Sequence, residues 1–393
     1  MVRSWEIGPR FGYAGGVRHT FTAMGIAVTM TMLGGCAPAV RRTWHQTVVL
    51  IDANVRSGRA AATMETPVDL ALTPMGDGRW RVCGPVVTTS TAPGFSEVLV
   101  SWNVAVEPGG AAAVEVRVGD REGWTPDLRV GCVGDRSMLN SLAAARSYVV
   151  DGISRGEIDT DYFKSGQSFD RVQMIVTVVA PAGWSAHVPP ARVERLAVCM
   201  SAGMEGAGTA CKGADAASSA FVKNAVPFRS QKTNIPVLSG RLCSPTSLAM
   251  VMAFHGVDRS VQDIAASAHD AENDIYGNWP RNVQAAFESG VPGFLTRFDD
   301  WEVVAEHLRR GEPIIASIRA PRGVLRNAPY LELESGHLIV LTGLNGHGGV
   351  YVNDPAAATA ESGQRVYSIG ELTKAWMELG KGTGYVLLGR GGK

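Results

Sequence analysis

The chain has 393 residues, in which 37 Lys+Arg balance 37 Asp+Glu for a formal net charge of zero. That length suits two globular domains, and the neutral balance, with no basic stripe, argues against a nucleic-acid partner. A 45% apolar composition, with nine Trp spread along the sequence, is enough to fill sizeable cores and excludes a disordered chain.

Arg18-His19 precede an apolar stretch from Phe21 to Leu33 that runs into Gly34-Gly35-Cys36. A positive start, a short apolar centre and small residues at the end make a secretory signal, absent from the mature protein. Leu33-Gly34-Gly35-Cys36 also resembles the bacterial lipobox, which implies a diacylglyceryl group on Cys36 and a membrane lipid anchor in the bacterial cell envelope. The alternative is plain secretion with an incidental Cys36. Seventeen residues before Arg18 are unusual for a signal, so translation starting at Met24 or earlier is the other option. Beyond this segment no window reaches the roughly 18 apolar residues that a spanning helix needs. Export puts the other cysteines in an oxidising compartment. With Cys36 and Cys243 set aside, Cys83, Cys132, Cys199 and Cys211 remain. Cys199 and Cys211 flank a Gly/Ala-rich loop and form the nearest disulfide pair, against the alternative of four buried thiols. No C-x-x-C or H-E-x-x-H spacing occurs, so neither a metal nor another cofactor is expected.

Residues 37–62, rich in Arg, Ala and Thr, read as a tether. Over 63–205, short runs split by Gly, Pro and Asp turns follow: Asp69–Leu72, Trp80–Cys83, Glu97–Trp102, Ala113–Val118, Val172–Val179 and Val193–Val198. Several alternate with period two, which predicts half-buried antiparallel strands in an all-β sandwich of jelly-roll type. Trp102, Trp124 and Trp184 are candidates for a glycan contact, against the plainer reading of core or surface tryptophans. Residues 206–225 read as a Gly/Ala-rich linker.

From Val226 the periodicity turns helical. Helices are predicted over 243–255, over 260–268 with Ser260 and Asp263 as cap, after Pro280 as far as Gly290, and over 300–310. Strands at 313–318, 337–342, 350–352 and 385–388 follow, with Asn345-Gly346 as a turn and a helix near 370–378. Helices first and an antiparallel sheet after them predict an α+β domain over 226–393.

Cys243 opens the first of these helices, with Pro245 in its first turn. Free backbone N–H groups and the positive dipole end there favour a thiolate, the nucleophilic form. Alone, an ordinary buried helix-capping Cys would be the simpler reading. A thiolate needs a histidine. His255 is twelve residues on along the same helix, about 18 Å at 1.5 Å per residue, and out of reach. His269 and His307 lie on mainly polar helical stretches, and His347 sits in a turn. His337 instead opens a strand, and Asn353-Asp354-Pro355 ends the next one. A hairpin through Asn345-Gly346 sets the start of one beside the end of the other, so Asp354 can face His337 and fix its tautomer.

Four segments, Val226-Pro-Phe-Arg-Ser-Gln231, Cys243-Ser-Pro-Thr-Ser-Leu-Ala-Met-Val251, Gly336-His337-Leu-Ile-Val-Leu-Thr-Gly343 and Tyr351-Val-Asn-Asp354-Pro-Ala356, resemble the papain-like bacteriocin-processing peptidases, number thirty-nine among the cysteine peptidase families. They come in that family's order, over about 226–390. The resemblance implies a papain-like α+β fold, with Cys243 as nucleophile, His337 as general base and acid, Asp354 as orienting group and Gln231 as oxyanion donor beside the Cys243 N–H. Ser244 stands where transporter-linked members usually carry Gly, and Gln231 precedes the Cys by more residues than in compact members. No transporter or ATPase segment is fused here, so the resemblance does not extend to cleavage after a double-glycine leader; it is closer to stand-alone exported members. The expected function is an exported cysteine peptidase cutting a peptide or isopeptide bond in a peptide or protein substrate through an acyl-enzyme. The alternatives are amidase or transpeptidase chemistry on cell-wall peptides, or an envelope module that binds a glycan or protein and carries an inactive papain-like domain.

Overall fold

The computed structural model describes residues 45–52, 64–89, 94–140, 142, 145–202, 212–330 and 333–389. The signal and lipobox expectation at 1–36, with Cys36, lies outside the described residues, as does Cys211. Strands come first: β1 (His45–Asp52), β2 (Met64–Val68), β3 (Thr73–Gly76), β4 (Arg79–Cys83), β5 (Val87–Thr88), β6 (Phe95–Val106), β7 (Ala111–Asp120), β8 (Gly123–Trp124), β9 (Leu128–Gly134), β10 (Ser147–Val150), β11 (Ile153–Asp159), β12 (Tyr162–Phe169), β13 (Arg171–Val179) and β14 (Ala191–Ser201). One sheet has the order β10-β11-β12-β6-β14-β1-β2; a second has β3-β4-β13-β7-β8, with β5 beside β13 and β9 beside β7. Successive side chains of a strand point to opposite faces. Val98, Val100, Trp102 and Val104 of β6 accordingly share one core with Val114, Val116 and Val118 of β7 and Val172, Met174, Val176 and Val178 of β13. Asp77-Gly78 and Asp151-Gly152 turn β3 into β4 and β10 into β11, all four residues at positive φ between 50° and 79°, the backbone that Asp-Gly hairpin turns require.

The second half contains α1 (Ala214–Ser218), β15 (Phe221–Lys223), α2 (Pro236–Ser239), α3 (Cys243–Phe254), α4 (Val261–Ala268), α5 (Trp279–Glu288), β16 (Gly293–Arg297), α6 (Trp301–Arg309), β17 (Ile314–Ala320), β18 (Leu333–Asn345), β19 (Gly349–Asn353), α7 (Ala360–Gly363), β20 (Gln364–Ser368), α8 (Ile369–Leu372) and β21 (Thr383–Leu387), with a π-helical turn at Thr373–Glu378 after α8. Its sheet runs β16-β21-β17-β18-β19-β20, with β15 beside β18. Both faces of the central strands are covered, and β17 and β18 run apolar over Ile314–Ala316 and Leu338–Leu341. Ile315, Leu338, Val340, Tyr385 and Leu387 pack with α3, α4 and α5, while Ile314, Ala316, Ile339, Leu341 and Val386 pack with α6, α8 and the π-helical turn. Gly343 permits β15 to approach: a Cβ there would lie 2.1 Å from the Val222 carbonyl oxygen.

Several expectations are corrected. The tether carries β1, which lies between β14 and β2, and Val48 to Ile51 are each no more than 3% exposed. The run is buried on both sides, Val48 and Leu50 in the first core and Val49 and Ile51 in a core of the second half, so it lacks the alternation that marks a strand. The linker contains α1 and β15, and residues 69–72 form no strand. Cys199 is a free, fully buried thiol opposite Thr47 and Leu99 on the neighbouring strands. It is enclosed there, and Cys211, the partner expected for it, lies outside the described residues. Trp102 is a core residue, 2% exposed. Arg117 and Arg171 stack over Trp124 at 5.0 and 5.1 Å, and Trp184 donates to the Val188 carbonyl at 2.7 Å.

Residues 41–393 form a single compact unit, because polar side chains of β6 serve the backbone of the second half. Ser101 Oγ accepts from the Leu295 N–H at 2.9 Å, and Asn103 Oδ1 from that of Gly293 at 3.2 Å. In return, Gln284 of α5 accepts from the Val104 N–H at 3.1 Å and donates to the Val104 carbonyl at 2.7 Å. Removing that amide strands two buried backbone groups, each costing about 1–3 kcal/mol. Gln284→Ala should therefore lower the unfolding free energy by about 2–4 kcal/mol in urea titration, with the two halves still unfolding in one transition. A loss below about 0.5 kcal/mol, or two separated transitions, would contradict this account of the junction.

Candidate active site

Helix α3 is buried from Ser244 to Met252, apolar over Leu248–Met252 and hydroxylated in its first turn at Ser244, Thr246 and Ser247, as suits a helix enclosed on every side. Its N-cap residue, Leu242, offers no side-chain cap, so the first N–H groups stay available to the Cys243 sulfur. Burial raises the thiol pKa, but the hydrogen bond and charge of His337, together with the N–H groups of Leu338 and Ser244, outweigh it and hold the thiol below its usual value. Ser244 Oγ lies 3.0 Å from the Tyr385 hydroxyl, and Ser247 Oγ donates to the Leu338 carbonyl at 3.2 Å. These contacts fix the helix start against β18 and β21.

β18 and β19 pair antiparallel with Val340 opposite Asn353, which carries His337 toward Asp354. His337 Nε2 lies 2.9 Å from Asp354 Oδ1, leaving Nδ1 for the thiol. The histidine is 4% exposed and the aspartate 0%. Burial acts to lower the imidazole pKa; Asp354 and Cys243 overcome it and push the ring up to about 10. Asp354 on one side of the ring and Cys243 on the other thus both favour the imidazolium form. Asp354 Oδ1 also accepts from the Ala356 N–H at 3.0 Å. Gln231 is buried and held beside this corner: its N–H donates to the Pro355 carbonyl at 2.8 Å, and its Nε2 donates to the Ser239 carbonyl at 2.7 Å.

The structure thus brings Cys243, His337 and Asp354 together and sets Gln231 on the segment next to Asp354. Two of the other histidines weighed from the sequence are engaged elsewhere. His307, on a helix that reads as polar, is 1% exposed with Nδ1 2.7 Å from Glu312, and His269 meets Asp274 at 3.1 Å. Two tyrosines escaped the sequence reading. Tyr330 packs edge-on to the His337 ring, centroids 5.3 Å apart, and burial and the neighbouring Asp354 push the phenols of Tyr330 and Tyr367 well above their usual pKa. Nothing in the sequence spacing ties these residues to Asp354.

Cys243 opens into a cleft of about 740 Å³, also lined by Tyr276, Trp279, Arg319 and Lys381, and by Asp159, Thr160, Asp161 and Tyr162 from the turn between β11 and β12. A smaller cavity of about 420 Å³ between β9 and α5 contains none of Gln231, Cys243, His337 and Asp354. Asp161 Oδ2 accepts from the Trp279 N–H at 2.7 Å, and burial pushes its carboxyl up to about 7. Among the described residues no cluster of side chains could hold a metal ion, and no helix is long and apolar enough to cross a membrane.

Residues 223–383 match the family model described as the Peptidase_C39 like family; the resemblance read from the four motifs therefore holds, and it supports a peptidase-type function with a peptide or protein substrate. No curated protein matches the sequence. Among solved structures, a C39-like peptidase from Bacillus anthracis is 17% identical with a TM-score of 0.34, covering 44% of this chain and 100% of that one. A double glycine motif protease from an AMS/PCAT transporter, solved with its leader peptide, is 19% identical with a TM-score of 0.29, over 42% of this chain and 93% of that one. The peptidase domain of Streptococcus ComA, a bi-functional ABC transporter, is 17% identical with a TM-score of 0.29, over 38% and 93%.

The raised Asp161 carboxyl has a consequence for stability. Below the unfolded value of 3.8 the group is protonated in both states and costs nothing. The cost grows as pH rises from there and is complete above about 7, where it amounts to a few kcal/mol by linkage. Asp161→Asn keeps an acceptor for the Trp279 N–H and should raise the melting temperature at pH 8 while changing it little at pH 4. Equal shifts at both pH values would contradict this assignment.

Proposed function

We propose that the chain is an exported cysteine peptidase that hydrolyses a peptide or isopeptide bond through Cys243, His337 and Asp354. The reading includes a papain-like C-terminal domain, an N-terminal β-sandwich packed against it, and lipid anchoring at Cys36. The observation that carries it is the buried His337–Asp354 contact at 2.9 Å, beside a helix-terminal thiol whose pKa His337 lowers.

The Cys243 thiolate adds to the scissile carbonyl carbon. The oxyanion is met by the Cys243 N–H, which has no helical partner at that position, and by the second Nε2 hydrogen of Gln231. The imidazolium of His337 passes its proton to the leaving amine as the C–N bond breaks, which leaves a thioester on Cys243. Neutral His337 then takes a proton from water, hydroxide displaces the sulfur, and the imidazolium–thiolate pair is restored. Asp354 holds the ring with Nε2 toward itself throughout, so Nδ1 serves both proton transfers.

With a peptide-library digest as substrate, Cys243→Ala and His337→Ala should abolish cleavage, and Gln231→Ala should lower kcat roughly 100-fold, the size of effect expected for one oxyanion donor. Rapid acid quenching followed by intact mass spectrometry should trap an acyl adduct on Cys243. Cleavage that survives in Cys243→Ala, or wild-type protein that neither cleaves peptides nor forms an adduct, would overturn the proposal; the second result would favour a binding module.

A further inference from the structure

The turn joining β11 to β12 belongs to the N-terminal sheets, yet it forms one wall of the cleft that holds Cys243. It is held there at several points. Arg146 Nη2 donates to the Thr160 carbonyl at 2.7 Å, Asp161 accepts from the first amide of α5 at 2.7 Å, and the rings of Tyr162 and Trp279 lie 6.3 Å apart. Thr160 sits at φ 59°, where a β-branched residue is strained. The strained conformation is maintained at the lip of the cleft.

The charges of the cleft are paired, with two exceptions. Arg297 and Lys381 both bond Glu97, each at 2.6 Å. Arg241 meets Asp274 at 3.0 Å, and Asp159 meets Lys164 at 2.7 Å. Arg319 has no acidic partner among the described residues, but it is exposed to solvent. Asp161 is 6% exposed, and among the described residues its carboxyl accepts one hydrogen bond, from the neutral Trp279 amide. Its nearest charged neighbours include the carboxylates of Asp159 and Asp270, with Arg146 as the opposing cation, and Arg146 spends its Nη2 on the Thr160 carbonyl. A carboxylate this buried is costly without a counter-ion, and the space beside it is the substrate cleft.

We infer that Asp161 is a specificity-determining residue: the turn presents its carboxylate to a cationic group of the substrate, an ammonium or guanidinium near the scissile bond. The inference rests on the reading of Cys243 as the nucleophile. It gives the N-terminal sheets a share in substrate choice.

Dipeptidyl acyloxymethyl ketones carrying Lys, norleucine or Glu, placed first next to the ketone and then one residue further away, read this directly as inactivation rates at Cys243 of the full chain. Wild type should react at least tenfold faster with the Lys probe than with norleucine at one of the two positions, and slowest with Glu. In Asp161→Asn that advantage should fall to within about twofold, while alkylation by uncharged iodoacetamide stays unchanged. Equal rates for Lys and norleucine in wild type would overturn the inference, as would a Lys preference that survives in Asp161→Asn. Wild-type Cys243 that resists iodoacetamide as well would instead overturn the nucleophile reading, and this inference with it.

Discussion

Asp354 has no exposure to solvent, and a carboxylate taken that far out of water is stable only with a counter-charge at hydrogen-bond distance. His337 supplies it, and the demand runs in both directions. Asp354 favours the protonated imidazole against the desolvation that would discharge it, and the ring in turn lowers the Cys243 thiol pKa. Two negative groups share one cation, so the remaining charge falls on the N–H groups of Ser244, Leu338 and Ala356 and on the uncapped start of α3. The β18–β19 register, the burial of α3 and the close packing of Tyr330 on His337 all serve this one electrostatic requirement.

The N-terminal sheets are part of the same scaffold. β6 turns hydrophobic residues to its own core and Glu97, Ser101 and Asn103 toward α5, β16 and Lys381. The Glu97 carboxylate accepts from Arg297 and Lys381 together, and both of those cations line the cleft. A polar junction of this kind fixes geometry more sharply than apolar contact, because each buried group left without its partner costs free energy. The position of the Asp159–Tyr162 turn relative to Cys243 is therefore as fixed as that of β18.

Much of the second half was legible in the sequence, for identifiable reasons. Ser260 caps α4 by accepting from the Asp263 N–H at 3.0 Å, and Pro280 falls in the first turn of α5, signals that depend only on local backbone chemistry. The proximity of His337 and Asp354 followed from a hairpin and two strand ends. What was not legible depended on burial from two sides. β1 is apolar without alternation over Val48–Ile51 because it lies between two layers, and so it resembled a tether. Tyr330, Tyr367 and Asp161 reach the site through packing between distant segments, which no spacing encodes. The β10–β12 hairpins did carry a readable signal, Asp151-Gly152, that the search for apolar runs passed over.

The most direct test of the account is the rate at which iodoacetamide alkylates Cys243 as a function of pH, followed by peptide mass spectrometry in wild type and in His337→Ala. An ordinary thiol gains reactivity only as pH approaches about 8.5. The imidazolium–thiolate pair predicts full reactivity well below pH 7 in wild type, and a profile moved upward by more than one pH unit in the variant. Superimposable profiles, each rising near the ordinary thiol value, would contradict the central claim that His337 and Asp354 hold Cys243 as a thiolate.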